Sequence, residues 1–422
     1  MTGLVGRSGR EDTSGGSGMF PEWGQRREIG YVQRFGTARE VPLQGNLEKS
    51  CMNLLPQASE RRPRVACEIG AQGVVAARSA DATAPLGAVA RVDLAEGAVV
   101  PGLRPGNIVD RVAVAAAVRR ALEQVDAKPN SRDADITLVI PDAAVRVLLL
   151  DFDALPGRVS DALPIVRFRL KKLLPFEADD AMISYQVMSS GKAGVRVLAT
   201  AMPRDVLSEY ETAAREAGFE PGSVLSSTLA ALAALESDGA ALLVNASLLG
   251  VTTAIVRNGV LLLHRSLDLQ VHDLQTNDMQ THGATQYVVL PLVDPEHTAA
   301  EWAAQEPLPE HPQAPSNAAV PVAAEMQPVP DDMRPVALAR EIAEAVSVAA
   351  AYFEDTLAAS PGQVWSAGPL GAERLGRILL EQGVGPEDGL SVRELVSSST
   401  LLADATAVPR AWLSSVAGAL RA

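Results

Sequence analysis

Hydrophobic positions along this chain follow two rhythms, and the change between them is sharpest from Arg167 to Val187, where the sequence reads RFRLKKLLPFEADDAMISYQV. On a helix, Val166, Leu170, Leu173 and Leu174 share one face; Lys171 and Lys172 lie on the other with Phe168, and Arg167 and Arg169 stand at the flanks. Pro175 is expected to end that helix, because proline has no amide hydrogen and its ring clashes with the preceding turn. Beyond it, Met182, Ser184, Gln186 and Met188 alternate with Ile183, Tyr185 and Val187, the two-residue period of a strand with one buried face. A basic helix packed against a sheet is predicted.

The same two periods organise the rest of the chain. Val65 to Ile69 and Val74 to Ala77 predict a hairpin turning after Gly70. Residues 112 to 125 predict a helix, with Val114, Ala117, Val118, Ala121, Leu122 and Val125 on one face and Asp110 as its cap. Strands are expected over Ile136 to Ile140 and Val145 to Asp151, parted by the turn formers Pro141 and Asp142, and again over Val195 to Ala201. A helix from Asp205 to Ala217 buries Val206, Tyr210, Ala213, Ala214 and Ala217 and stops at Gly218. Then the pattern restarts. Leu242 to Val244, Val251 to Val256 and Val260 to His264 read as strands, and Asn258-Gly259 supplies the positive-φ pair of a tight hairpin. Leu338, Ile342, Val346, Ala349, Phe353 and Leu357 predict a long amphipathic helix, followed by a short strand from Val364 to Ser366.

Two stretches break the rhythm. Residues 1 to 61 are rich in Gly, Ser, Arg and Glu without a sustained period, and are expected to form a disordered tail, since they bury too little apolar surface to offset ordering. From 270 to 335, Pro307, Pro309, Pro312, Pro315, Pro321, Pro328 and Pro330 predict a disordered linker, with one short strand from Tyr287 to Val293.

Composition narrows the function classes. The chain has 422 residues, 47% hydrophobic, enough for two or three domains. Its net charge of −14 disfavours a grip on nucleic acid, which needs a clustered positive surface. The most apolar window, Leu242 to Val256, is too short for a bilayer and carries Asn245, Ser247, Thr252 and Thr253, and the amino terminus has no uninterrupted apolar core of a secretory signal. A cytoplasmic location is expected. Cys51 and Cys67 make no disulfide framework, and Cys67 reads as a small core residue. His264, His272, His282, His297 and His311 show no metal-ligand spacing, so no metal cluster is expected, and no P-loop or nucleophile elbow is present. No catalytic residue is assigned.

The helix-break-strand from Arg167 to Val187, with AGFEPGSV at Ala217 to Val224, VRNGVLLLHRSL at Val256 to Leu267 and VAGALR at Val416 to Arg421, resembles the PilM family of type IV pilus assembly proteins. The resemblance covers residues 64 to 270 and 336 to 422. It implies an α/β chain with the actin-like ATPase fold: two ribonuclease-H-like lobes, each opening on a hairpin, and a small α/β subdomain inserted into the first. The expected boundaries are a first lobe over 62 to 150, the insertion over 151 to 220, the second lobe over 221 to 269 and 336 to 422, with a carboxy-terminal helix.

In such folds hairpin N–H groups hold phosphates and an aspartate in each lobe orients Mg²⁺, so ATP and Mg²⁺ are the cofactors the resemblance implies. The residues standing at those places are Glu68, Gly70 and Gln72 in the first hairpin, Asn245 and Ser247 in the second, and Gly368 in the closing turn. Both acids depart from aspartate, Val75 stands where the family usually carries lysine, and Pro369 removes a backbone donor. A degenerate site with weak or lost ATP binding is expected. The resemblance further implies a cytoplasmic adaptor, peripheral to the inner membrane, that binds the amino-terminal peptide of a PilN-like bitopic protein. Phe168, Lys171, Lys172, Leu174, Pro175 and Phe176 mark the region expected to hold it. Met52 to Pro56 reads MNLLP, similar to the core of the peptide that PilN proteins present, so docking of the chain's own segment is a second expectation beside chance. An active actin-like ATPase or sugar kinase, a filament former like FtsA and a type II secretion cytoplasmic component stay open as alternatives.

Overall fold

The computed structural model describes residues 63–131, 134–192, 194–237, 239–269, 334–385, 390–402 and 408–421. The expected tail, the strand from Tyr287 to Val293, the MNLLP motif and all of the Pro-rich segment but residues 334 and 335 lie outside them.

The chain opens with strands β1 (Val65–Gly70), β2 (Gly73–Ser79) and β3 (Leu86–Asp93), then helix α1 (Arg111–Gln124) and strand β4 (Asp135–Ile140). Asp110 caps α1 as its spacing predicts, its carboxylate accepting the Ala113 amide at 2.9 Å. After the insertion come α3 (Arg204–Glu216) and β8 (Glu220–Ser226). The sheet order is β3-β2-β1-β4-β8, with the first three strands antiparallel and β1, β4 and β8 parallel. Gly218, at φ +90°, stops α3 and turns the chain into β8.

The second half repeats this order. Strands β9 (Ala240–Ala246), β10 (Gly250–Arg257) and β11 (Val260–Asp268) form a meander, and β12 (Val364–Ala367) and β13 (Val392–Glu394) add in parallel to give β11-β10-β9-β12-β13. Asn258 and Gly259 take φ of 51° and 77°, as the hairpin requires. Helices α5 (Arg334–Leu357) and α6 (Ala372–Glu381) cover one face, where Ile342, Val346, Phe353 and Leu375 meet Leu242, Val244 and Ile255. Two sheets of identical strand order are the two lobes.

Helix α4 (Ser227–Leu232) joins them, packing Leu229 and Leu232 against the second sheet and Ala230 against the cluster over the first. The chain's last helix, α7 (Ser414–Arg421), returns to the first sheet, setting Val416, Ala417 and Leu420 on Ala66, Val75 and Val139. A β-carbon at Gly418 would run into the Ala230 carbonyl, so α7 crosses α4 in direct backbone contact.

The insertion is the sheet β5-β7-β6, from β5 (Arg146–Phe152), β6 (Ala181–Gly191) and β7 (Gly194–Pro203), with α2 (Val159–Leu170) packed on it. Its bounds differ from the expected 151 to 220. The subdomain begins at Arg146, α3 and β8 return to the first lobe, and residues 221 to 226 pair with β4 and so are not second-lobe sequence. The reason is register: Glu220 to Ser226 offers backbone to the edge of β4, a pairing that no local pattern announces.

Two local expectations are corrected. Helix α2 ends at Leu170, not at Pro175, because the Leu170 carbonyl accepts the amides of both Leu173 (2.8 Å) and Leu174 (3.0 Å) and the last turn tightens. That turn folds Leu173, Leu174 and Phe176 back onto the subdomain core. Strand β6 is buried on one face only near its start: a register shift between Val187 and Ser189 leaves Val187 39% exposed and directs Met188 toward the second lobe's cluster.

Candidate functional site: the interlobe cleft

The carboxyl ends of the parallel strands β4, β1, β9 and β12 converge on one cavity of about 120 Å³. All six residues expected there, Glu68, Gly70, Gln72, Asn245, Ser247 and Gly368, line it. So do Asp142, Ser227, Asp268 and Ser415, which the sequence did not single out for this role. Asp142 follows β4 by two residues, and a polar side chain at the carboxyl end of a central parallel strand is the signal that could have found it.

Asp142 is the hub. Its Oδ1 accepts the Thr228 amide at 3.0 Å and its Oδ2 the Thr228 hydroxyl at 2.5 Å, so the first residues of α4 are tied to the end of β4. Asn245, at the end of β9, aims its Nδ2 at Asp142 Oδ2 (3.2 Å), Ser227 Oγ (3.1 Å) and Thr228 Oγ1 (3.0 Å). A carboxylate only accepts, so this orientation of the amide follows from its partners. Glu68 is partly accessible from the cleft, yet its carboxylate receives the hydroxyl of Ser415 and has that of Ser227 beside it. Burial pushes the Glu68 carboxyl above its ordinary value; the Ser415 and Ser227 hydroxyls oppose this and the Asp142 charge adds to it. Asp268 is raised as well, by burial first, with the Arg146 cation pulling it back and Asp142 pushing it up. His264 is held below its ordinary value by burial, against the attraction of Asp142.

A Mg-nucleotide needs donors aimed at phosphates and carboxylate oxygens open to the ion and its waters. The side chains lining the cleft do not provide these. Its lining carries three carboxylates, Glu68, Asp142 and Asp268, and among the described residues no Lys, Arg or His. Both Asp142 oxygens are already bonded, and Asn245 presents a donor where a metal would need an acceptor. The Ser247 hydroxyl is turned into its own hairpin, accepting the amides of Leu249 (3.1 Å) and Gly250 (3.2 Å). Gly368, at φ +83°, is packed so closely under Asn245 Oδ1 and the Ala246 carbonyl that a β-carbon there would collide with both. Among the described residues no group of His, Cys, Asp and Glu is arranged to hold a metal ion. The residues present do not fit a Mg-nucleotide.

The inserted subdomain holds the second group of expected residues. Phe168 is 68% exposed on α2, one turn beyond Ile165 at 40%. Lys172 and Pro175 are also exposed, whereas Leu174 and Phe176 pack inward and Lys171 pairs with Asp179 at 2.6 Å. Arg167, expected on the flank of the basic face, instead donates to the Ala178 carbonyl and braces the loop.

Comparison with known proteins turns on this architecture. A chain of a PilM-PilN type IV pilus biogenesis complex superposes with a TM-score of 0.52 at 17% identity, over 79% of this chain and 91% of that one. The chain has a PilM-like, actin-like fold. Identity this low shows the fold alone. The ethanolamine utilization protein EutJ from Carboxydothermus hydrogenoformans matches at 12% identity over 88% of this chain and 92% of its own, with a TM-score of 0.35. The cytoplasmic domain of EpsL, an inner membrane component of the type II secretion system of Vibrio cholerae, matches at 13% over 52% and 77%, with a TM-score of 0.32. These two superpose too loosely to carry an argument. The sequence matches no protein-family model and no curated protein. No helix among the described residues is long and apolar enough to cross a membrane.

Proposed function

We propose that this chain is a cytoplasmic adaptor of a type IV pilus inner-membrane assembly complex, which binds the amino-terminal peptide of a PilN-like membrane protein and does not turn over nucleotide. The observation that carries this reading is the PilM-like fold with its inserted subdomain, whose α2 presents Phe168 and Ile165 to solvent beside Arg169 and Lys172. Solvated aromatic and basic side chains on one helix end offer a docking surface that costs the free protein little to keep. The cleft supports the non-catalytic part, since both Asp142 oxygens are bonded to Thr228 and Asn245 presents an amide where the fold would place a second acid for the ion that phosphoryl transfer requires.

Isothermal titration of the full chain with the cytoplasmic amino-terminal peptide of a candidate bitopic partner tests the proposal. Saturable binding is expected, weakened about tenfold by Phe168→Ala, as for truncation of an aromatic anchor. Phe168 is 68% exposed, so the variant should keep an unfolding midpoint close to that of the wild type. No binding by the wild-type chain, or ATP hydrolysis above background, overturns the reading.

A further inference from the structure

The mismatch between the cleft and a Mg-nucleotide has a positive side, because the groups that cannot hold the ion hold each other. Hydrogen bonds run from Ser415 on α7 to Glu68 on β1 and from Asn245 on β9 to Ser227, Thr228 and Asp142, and the Ser227 hydroxyl on α4 lies beside Glu68. Thr228 closes the circuit onto Asp142 at the end of β4. The chain of bonds thus starts on the first lobe, passes through α4, reaches the second lobe at Asn245 and returns. We infer that this network is a metal-free clasp, standing where the fold would place a cation and phosphates, and that it holds the two lobes together without a ligand. The inference is independent of any peptide bound at α2.

The chemistry of Asn245 decides the matter. Its amide carries two hydrogens, and these are shared among three acceptors on the far side of the cleft. An aspartate at that place would face Asp142 across the same gap with acceptors only, and Thr228 could serve it only by abandoning Asp142. Two carboxylates would then repel each other unless a cation lay between them. The amide removes the need for that cation.

Thermal unfolding of the full chain, of Asn245→Ala, of Asn245→Asp and Asp142→Asn singly, and of that pair together tests the inference. Wild type should give the same midpoint with EDTA, with Mg²⁺ and with millimolar Mg-ATP; a saturable rise with Mg-ATP overturns the inference. Asn245→Ala should unfold roughly 5 °C lower, through loss of the shared donor and the acceptors it leaves bare. Asn245→Asp should also fall, and the swapped pair Asp142→Asn with Asn245→Asp should recover at least half of that loss, because one amide again faces one carboxylate. If the two exchanges simply add, the bonds across the cleft are not coupled and the clasp is wrong. The swap keeps the test decisive even if either single variant folds poorly.

Discussion

Glu68 shows how one side chain can be both necessary and costly. It anchors Ser415, yet burial and the nearby Asp142 charge raise its carboxyl above the ordinary 4.5. As pH rises from about that value, the unfolded chain releases this proton before the folded one does, so Glu68 takes stability away with increasing pH up to its folded-state value. Gln at this position keeps an acceptor for a serine hydroxyl and has no proton to lose. Glu68→Gln should therefore flatten the decline of urea-unfolding stability above pH 4.5 and be at least as stable as wild type at neutral pH. A variant whose pH profile parallels the wild type would show that Glu68 ionises in the fold as it does in the unfolded chain. His264 shifts in the opposite direction, being held neutral by burial, so its contribution is present above the ordinary 6.5 and is lost as pH falls below it. The two residues thus pull in opposite directions, Glu68 favouring the acid side and His264 the neutral side. Cys67 takes no part: its thiol is pushed up by burial and it behaves as core.

At the scale of elements, what was legible in the sequence was whatever local periodicity controls. The α1 cap at Asp110, the Asn258-Gly259 turn, the stop at Gly218 and both hairpins sit where spacing puts them, because each depends on neighbours within a few residues. The six cleft residues were reachable only through the resemblance, and Asp142, Ser227, Thr228 and Ser415 were not reached, since nothing local distinguishes a turn aspartate from one that meets Thr228 across 86 positions. The return of β8 to the first sheet was missed for the same reason. Long-range packing also sets the crossing of α7 over α4, where Gly418 lies against the Ala230 carbonyl. Gly418→Ala should improve helix propensity and still destabilise, by about 1–3 kcal/mol, because the two helices must move apart. Chemical denaturation that showed a more stable variant would mean that the helices separate at no cost.

On the scale of the molecule, the question is whether two lobes of identical topology behave as two folding units. Each has its own sheet and its own covering helices, which favours independence. The shared parts favour the opposite: α4 contributes Leu232 to the second sheet's cluster and Ala230 to the first's, α7 seals the first sheet from the far end of the chain, and the Asp142–Asn245 bond crosses between them. Neither sheet keeps both faces covered if the other lobe leaves, so the loss of one removes apolar contacts and polar partners from the other. One cooperative transition is therefore expected. The chain supplies its own reporters, since Trp365 packs in the cluster beside the second sheet, while Trp412 lies over the first with the Arg91 guanidinium 3.7 Å from its ring centre. Fluorescence unfolding curves of Trp365→Phe and Trp412→Phe, each made in a background carrying Trp23→Phe and Trp302→Phe so that one tryptophan remains, should give coincident midpoints relative to a probe-independent measure such as circular dichroism. Leu232→Ala should then lower both by the same amount, corresponding to about 2–5 kcal/mol for a fully buried leucine. Midpoints that separate, or a Leu232→Ala effect confined to the Trp365 signal, would show that the lobes unfold one at a time and that α4 belongs to the second lobe alone.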